Sequence, residues 1–189
     1  MKHALLLPLV LLACKEPLAQ KANERRDTIA SARVVSPAEN LFSAQVLSRA
    51  LDDLFTRVGR SPAFLSVELL RERAHFEIES TTAPGEVVEY EWHAGELRGP
   101  ARLELRGKGS LQQNLFLPAS IDFASIPTLL ETARTRVDAE NGVVSRVLIR
   151  RNLPADDTVG IRVYVDSPLR SSHVDADSHG RLVESGRYP

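Results

Sequence analysis

The chain has 189 residues, of which 43% are hydrophobic and 26% are charged, and these proportions are typical of a folded globular protein. Lysine and arginine total 24 against 25 aspartate and glutamate, so the net charge is −1, without the basic surplus that nucleic-acid-binding domains carry. The sequence holds one cysteine, which excludes an internal disulfide bond. We therefore expect a globular protein that is held by its core and has no nucleic-acid partner.

The N-terminus has the pattern of an export signal. Met1-Lys2-His3 supplies a short basic start, and residues 4–13 form an apolar run that is about half as long as the ~20 residues of a membrane-spanning helix. The run ends in Leu11-Leu12-Ala13-Cys14, which resembles the lipobox of bacterial lipoproteins. Two alternatives are a signal cut near Ala19-Gln20, which would leave a free secreted protein, and a cytosolic chain with an apolar N-terminus.

The resemblance to bacterial lipoproteins implies lipidation at Cys14. In that class the signal peptide, here residues 1–13, is removed, and the cysteine then carries fatty acyl chains such as palmitate. Lys15 rather than Asp follows the cysteine, which in this class points to the outer membrane. The resemblance therefore implies a cell-envelope protein that is anchored to the outer membrane through acyl chains on Cys14 and faces the periplasm.

Residues 14–35 are mostly polar and charged, and we predict that they form a tether. A flexible segment of this length spans roughly 25 Å, which would lift a domain away from the lipid headgroups. An alternative is that Ala32-Arg33-Val34-Val35 adds a strand to the sheet.

Residues 36–110 are predicted to form a first α+β repeat that opens with a helix. Ser36-Pro37-Ala38-Glu39 has the form of a capping box with proline at the first helical position, and Gly59 is typical of the residue that ends a helix. Between them lies an apolar stripe with three- and four-residue spacing. The stripe consists of Leu41, Ala44, Leu47, Leu51, Leu54, Phe55 and Val58.

Three segments after this helix alternate apolar and polar residues with a period of two, which is typical of antiparallel strands covered on one face. Their apolar positions are Leu65, Val67 and Leu69, then Ala74, Phe76 and Ile78, then Val88, Tyr90 and Trp92. We predict a turn at His93-Ala94-Gly95-Glu96. A further strand is indicated by Ala101, Leu103 and Leu105.

Residues 111–189 are predicted to be a second α+β repeat. A helix is expected over residues 122–141, with Pro127 in its first turn and Gly142 at its end. Strands are expected over residues 143–149, 161–165 and 172–176, followed by a turn at Ser178-His179-Gly180 and a return at Leu182-Val183. Because each repeat alone has too small a core, we expect the two repeats to pack together.

The last hairpin, residues 174–183, has the order strand, Asp, turn, Gly, strand. In this order it resembles PepSY-like modules, and the tandem arrangement is similar to that of the beta-lactamase inhibitory protein. The resemblance covers residues 36–183 and implies a non-enzymatic envelope binder, inhibitor or protease-associated module. With the residue patterns, it predicts an α+β fold made of a duplicated helix-plus-antiparallel-sheet unit, with the helices packed on one sheet face.

One group of residues is similar to the start of a calcium loop. It consists of His173, Asp175, Asp177 and His179. If the loop is counted from Asp175, its twelfth position is Gly186, where an EF-hand requires a bidentate glutamate. We therefore expect a solvated hairpin, with a bound metal as the alternative, and we predict no cofactor.

Three other motifs have simple explanations. Asp52-Asp53 and Asp156-Asp157 are adjacent pairs, and adjacent residues on a helix do not face each other, so we expect both pairs to be solvated. Gly107-Lys108-Gly109-Ser110 lacks the Ser or Thr that follows the lysine of a phosphate loop, and we expect a turn there.

Tyr90 and Trp92 alternate onto one strand face, where they are expected to join the core, with a partner anchor as the alternative. The polar residues between the apolar positions would line the other face, as a solvated surface or a polar docking surface. They are His75, Glu77, Glu79, Glu89, Glu91, Arg102, Glu104 and Arg106. From these, His75, Glu77, Glu89 and Glu91 are our candidate partner-binding residues.

No Gly-x-Ser-x-Gly, His-Glu-x-x-His or Cys-x-x-Cys motif occurs in the chain, and we predict no catalytic residue. The sequence favours a non-catalytic, lipid-anchored envelope protein that binds another envelope component as an adaptor, inhibitor or assembly factor. The alternative is an envelope hydrolase with an unrecognised active site.

Overall fold

The computed structural model describes residues 40–59, 61–105, 109–168 and 171–183. The predictions for the signal peptide, Cys14, the tether and the capping box at residues 36–39 lie outside the described residues. So do Arg106 and the first two residues of the turn predicted at residues 107–110.

The described residues contain helices and strands in the order expected for the α+β class. The helices are α1 (Ala44–Val58), the short α2 (Leu111–Asn114) and α3 (Ile126–Asp138). The strands are β1 (Phe64–Leu69), β2 (Arg73–Glu79), β3 (Val87–His93), β4 (Glu96–Leu103), β5 (Val143–Arg151), β6 (Val159–Asp166) and β7 (Ser171–Asp177). None of these helices is long and apolar enough to cross a membrane.

The strands form one seven-stranded antiparallel sheet in the order β4-β3-β2-β1-β5-β6-β7. Strands that follow each other in sequence are neighbours except at the centre, where β1 pairs with β5 and Val67 lies opposite Ile149. Phe116, in the connection that leads to α3, exchanges backbone hydrogen bonds of 2.8 and 2.9 Å with Phe64 of β1. Because β1 is fourth in the strand order, it is the middle strand of the sheet, with three strands on each side.

Helix α1 begins later than the capping box predicts. Its N-cap is Ser43, whose hydroxyl accepts a 3.4 Å hydrogen bond from the N–H of Val46. Leu41, which we assigned to the helical stripe, precedes the helix, and its N–H donates to the carbonyl of Arg71 at 2.8 Å. The prediction of a continuous helix from Ser36 is wrong, because this contact with the β1–β2 connection uses a backbone group that a helix would need.

Helix α1 ends at the predicted Gly59, whereas α3 is shorter at both ends than the predicted 122–141 and stops at Asp138, before Gly142. Gly59 has a φ of 97° and its N–H donates to Phe55 at 2.9 Å. The N–H of Gly142 donates to Asp138 at 2.9 Å. At the other end of α3, a 3₁₀ turn over Phe123–Ser125 precedes the helix, and Pro127 lies in its first turn as predicted.

The period-two pattern predicts the strand faces correctly except where strands are irregular. A β-bulge between Phe64 and Ser66 interrupts the alternation of β1. Phe64 is therefore buried in the core, while Leu65 is only half-buried and lines a surface depression. The prediction that Leu65 faces the core is wrong for this reason. Leu105 is 47% exposed and lies beyond the end of β4, so the predicted extension of that strand is also wrong.

The buried side chains of α1, α3 and strands from both halves of the sheet belong to one hydrophobic cluster. Its fully buried members include large residues from β1, β2, β3, β5 and β6. They are Phe64, Phe76, Ile78, Trp92, Ile149 and Ile161. The two predicted repeats therefore share one core, as expected for units too small to fold securely alone.

Candidate docking surface

The polar side chains that alternate with the core residues lie on the opposite side of the sheet, which we call the open face. Most of them are half-buried, and Arg150 and His173 are exposed. The open face consists of Ser66, Glu68, His75, Glu77, Glu89, Glu91, Arg146, Leu148, Arg150, Arg162, Tyr164, His173 and Asp175. The four candidate residues His75, Glu77, Glu89 and Glu91 therefore lie together on it, on β2 and β3.

The register of the strands sets these residues in rows across the sheet. Ser66 on β1 lies opposite Glu77 on β2 and opposite Arg150 on β5. The candidate carboxylates lie on β2 and β3, with Arg73 beside them on β2, while Arg146, Arg150 and Arg162 lie on β5 and β6. The open face is therefore acidic on one side of β1 and rich in arginine on the other.

Each carboxylate on the acidic side has a partner on a neighbouring strand. Glu89 lies 3.4 Å from the Nδ1 atom of His75, and Glu91 lies 3.6 Å from the Nε atom of Arg73. Glu77 accepts a 2.7 Å hydrogen bond from the hydroxyl of Ser66. Contacts between adjacent strands hold these groups in place without closing them off from solvent.

Two arginines on the other side are fixed by neighbours as well. Arg162 donates to both carboxylate oxygens of Asp175 at 2.7 and 3.1 Å, and these hydrogen bonds raise the pKa of the Arg162 guanidinium above its usual range. Arg146 lies 4.0 Å from the ring centroid of Tyr164 and 3.3 Å from the carboxylate of Glu68. The Arg146–Glu68 pair joins the two halves of the sheet across the β1–β5 junction.

Two adjoining depressions of about 450 and 530 Å³ lie on the open face. The first contains the acidic group Glu68, Glu77 and Glu89, and the second contains Arg162 and Asp175. The residues that line both are Leu148, Arg150, Arg151 and Leu153. The depressions therefore form one shallow trough in which charged groups of both signs surround a few leucines.

This combination of groups is suited to non-covalent recognition. Charged side chains at a surface select a partner of complementary charge and set its orientation, while apolar contacts between them add buried area. Leu148 and Leu153 supply that apolar area within the trough. The trough therefore combines charged groups with apolar area, a mixture that is common at recognition surfaces.

Tyr90 and Trp92 are core residues, as we predict from the face of the strand on which they lie. Trp92 is fully buried and Tyr90 is 7% exposed. The indole Nε1 of Trp92 donates a 2.9 Å hydrogen bond to the carboxylate of Asp53 on α1. The prediction that Asp53 is simply solvated is wrong, because it satisfies a buried donor, whereas its neighbour Asp52 is exposed.

The calcium-like group is engaged in the hairpin itself. The Asp177 carboxylate accepts hydrogen bonds from the N–H groups of His179 and Arg181 at 2.9 and 3.0 Å. Burial acts to raise the pKa of Asp177, but these hydrogen bonds and the Arg181 side chain outweigh it and lower that pKa. Asp175 is bound to Arg162. Over the part of the chain that the structure describes, no three His, Cys, Asp or Glu side chains are arranged to hold a metal ion.

Other polar residues that we predict on the outward strand face lie away from the trough. Glu79 accepts hydrogen bonds from Gly85 and Gln112 at 3.0 and 2.9 Å. Arg102 lies opposite Val88, which packs against the core, and it pairs with Glu86 at 3.0 Å. The prediction that Arg102 faces outward and Ala101 inward is wrong, because an irregularity between Glu89 and Glu91 shifts the register of β4. Of the predicted outward residues that the structure describes, His75, Glu77 and Glu89 line the trough, whereas Glu91 lies on the open face beside it.

Sequence reasoning missed the arginine side of the open face. Arg146, Arg150, Arg162 and Tyr164 alternate with the buried residues of β5 and β6, in the same period-two pattern that identified His75 and Glu77. Reading that pattern through the second half of the chain would have found these residues. Their position opposite the acidic strands depends on the β1–β5 pairing.

The chain matches no protein-family model, no curated protein and no solved structure.

Proposed function

We propose that this protein is a lipid-anchored component of the bacterial cell envelope that binds another envelope component through the open face. It acts without catalysis, as an adaptor, inhibitor or assembly factor. The lipobox-like stretch at residues 11–14 supports the anchor, with acyl chains on Cys14 holding the protein at the outer membrane. The residues that carry binding are His75, Glu77, Glu89 and Glu91, together with Arg150 and Arg162.

The observation that carries this proposal is the charged trough on the open face. Glu77 and Arg150 flank Ser66 in one row, and both line the first depression. A partner with matching charges would gain orientation from these groups and affinity from contacts with the leucines between them.

We also propose that the fold arose from a duplicated unit whose helices pack on the core side of the sheet. In the first half α1 precedes β1 to β4, and in the second half α3 precedes β5 to β7. After β7 the chain turns back, and Leu182 forms an isolated bridge with Ala176. This returning segment follows β7 in the same way that β4 follows β3. The equivalent first strands, β1 and β5, pair antiparallel at the centre, which is consistent with two copies of one unit packed side by side.

The experiment is a cross-linking pull-down from native membranes. The wild-type protein is expected to recover a specific envelope component, and Glu77→Arg is expected to recover at least about tenfold less, because a reversed charge repels the partner group that Glu77 attracts. Asp52→Arg changes the net charge equally but lies on α1, and we expect it to recover the component normally. Equal recovery by both variants would contradict a docking role for the open face.

A further inference from the structure

Glu77 and Arg150 lie in one row of the open face, on either side of the middle strand. Ser66 of β1 is in register with Glu77 of β2 and with Arg150 of β5. Because neighbouring strands are ~4.8 Å apart, the two charged residues are about equally far from β1, in opposite directions.

Neither residue forms an ion pair with any residue that the structure describes. Glu77 accepts a hydrogen bond from Ser66, and the side chain of Arg150 is exposed and makes no hydrogen bond within the described ranges. Glu68, Glu91 and Arg162 on the same face have ionic partners in this chain. Glu77 and Arg150 therefore offer two charges of opposite sign to an outside partner.

The adjacent row has the same arrangement of opposite charges about β1. Its β1 residue is Glu68, with Glu91 two strands away on one side and Arg162 two strands away on the other. Arg98 on β4 and Asp175 on β7 come three strands away. In these three pairs of positions, the residue on one side of β1 has the opposite charge to its counterpart on the other side.

We propose that the open face pairs with the open face of a second copy of this chain. A twofold axis parallel to β1, between the two sheets, would lay β2 of each copy over β5 of the other and β3 over β6. Glu77 would then face Arg150 of the second copy, and Glu91 would face Arg162. Each contact occurs twice, because a twofold interface is isologous.

The size of the face suits such a dimer. Seven strands at ~4.8 Å spacing, with about seven residues each at ~3.4 Å, cover about 700 to 800 Å², close to the ~800 Å² that each partner buries in a typical stable interface. Glu68 of each copy would lie near the axis, where its own Arg146 at 3.3 Å offsets the approach of two carboxylates. The leucines of the trough supply apolar contact between the charges.

This inference rests on the proposed function, because both require the open face to be a docking surface. It adds a form of regulation, because a second copy would occupy the face until the envelope component displaces it. The two binding modes would then be mutually exclusive.

The test uses two full-length copies of the chain with different affinity tags, solubilised together in detergent. Wild-type copies are expected to recover each other. Glu77→Arg copies, and separately Arg150→Glu copies, are expected to recover each other at least about tenfold less, because two repulsive contacts replace two attractive ones. Mixing one Glu77→Arg copy with one Arg150→Glu copy should restore recovery. In that mixed pair the arginine introduced at position 77 would face the glutamate introduced at position 150, and the unmodified pair would remain.

Asp52→Arg and Arg136→Glu serve as matched controls, because both reverse exposed charges on helices, and they should leave recovery unchanged. Circular dichroism of each variant checks that it is folded. The proposal is overturned if wild-type copies do not recover each other, or if the mixed pair recovers no better than either variant alone.

The outcome also separates this inference from the proposed function. If wild-type copies do not recover each other, but Glu77→Arg still recovers less of the envelope component than the wild-type protein does, the dimer is wrong and the docking role stands. If the mixed pair restores self-recovery but no envelope component depends on Glu77, the dimer stands and the proposed partner does not.

Discussion

The buried indole of Trp92 donates its Nε1–H to the Asp53 carboxylate of α1 at 2.9 Å, joining β3 to the helix. Trp92 is fully buried, and the guanidinium of Arg49 lies 5.4 Å from the centroid of its ring. A buried donor without an acceptor costs free energy. Asp53 therefore contributes to folding by satisfying this donor.

We predict that Asp53→Leu lowers the free energy of unfolding by about 1–3 kcal/mol, because it leaves the indole N–H unsatisfied. Asp53→Asn keeps an oxygen acceptor and should cost less than Asp53→Leu. Urea denaturation followed by tryptophan fluorescence measures both effects.

The adjacent residue provides the control for this prediction. Asp52 is exposed, so Asp52→Leu should change the free energy of unfolding by no more than about 0.5 kcal/mol. Equal losses for Asp52→Leu and Asp53→Leu would show that the hydrogen bond to Trp92 does not account for the effect.

Gly142 should not tolerate a side chain after α3. A Cβ atom there would lie 2.5 Å from the carbonyl oxygen of Asp138 and 3.2 Å from that of Arg134. Because both contacts are with backbone atoms, we predict that Gly142→Ala lowers the free energy of unfolding by about 1–3 kcal/mol. Gly109→Ala is the matched control, since the nearest atom to its Cβ would be a flexible Asn114 side chain at 3.6 Å. A similar loss in both variants, measured by thermal unfolding, would contradict the steric explanation.

The Asp177 carboxylate at the end of β7 should make a contribution to the free energy of unfolding that depends on pH. The pKa of the folded-state Asp177 carboxyl is lowered by hydrogen bonds that outweigh the effect of its burial. Its stabilising effect is therefore complete above the unfolded value of about 3.9 and is lost as the pH falls through the lower folded pKa. We predict that the stability difference between the wild-type protein and Asp177→Asn shrinks below about pH 4. Urea denaturation over a pH series measures it, and a pH-independent difference would contradict the assignment.

Cys14→Ala tests the membrane anchor. If Cys14 carries acyl chains, this variant should lose labelling by radioactive palmitate, because it lacks the acylated sulfur. Labelling of immunoprecipitated protein measures this. If the signal is instead cut near Ala19-Gln20, the wild-type protein should take up no label, and the variant should be indistinguishable from it.

Local patterns predicted most of the elements of the fold. The alternation in β2 places Ala74, Phe76 and Ile78 in the core, and Gly59 marks the end of α1. These features depend on neighbours within one element. The start of α1 was not predictable in this way, because Leu41 is held by a backbone hydrogen bond to Arg71, which is distant in sequence.

Local alternation indicates the sheet face of each site residue, but it does not indicate which two sides of the site come together. His75, Glu77, Glu89 and Glu91 were identified because they alternate with core residues. The position of Arg150 beside Ser66 follows from the β1–β5 pairing, and no local pattern indicates which distant strands will pair. The bulge that turns Leu65 toward the trough likewise has no signature in the alternation itself.

The most direct measurement of the proposed docking role is site-specific photo-cross-linking from the open face in living cells. Leu148 is the position of choice, because it lines both depressions, and a photoreactive residue at Asp52 on α1 provides the comparison. We predict that position 148 forms an adduct with a specific envelope component and that position 52 does not. No such adduct from position 148, or the same adduct from both positions, would contradict a docking role for the open face.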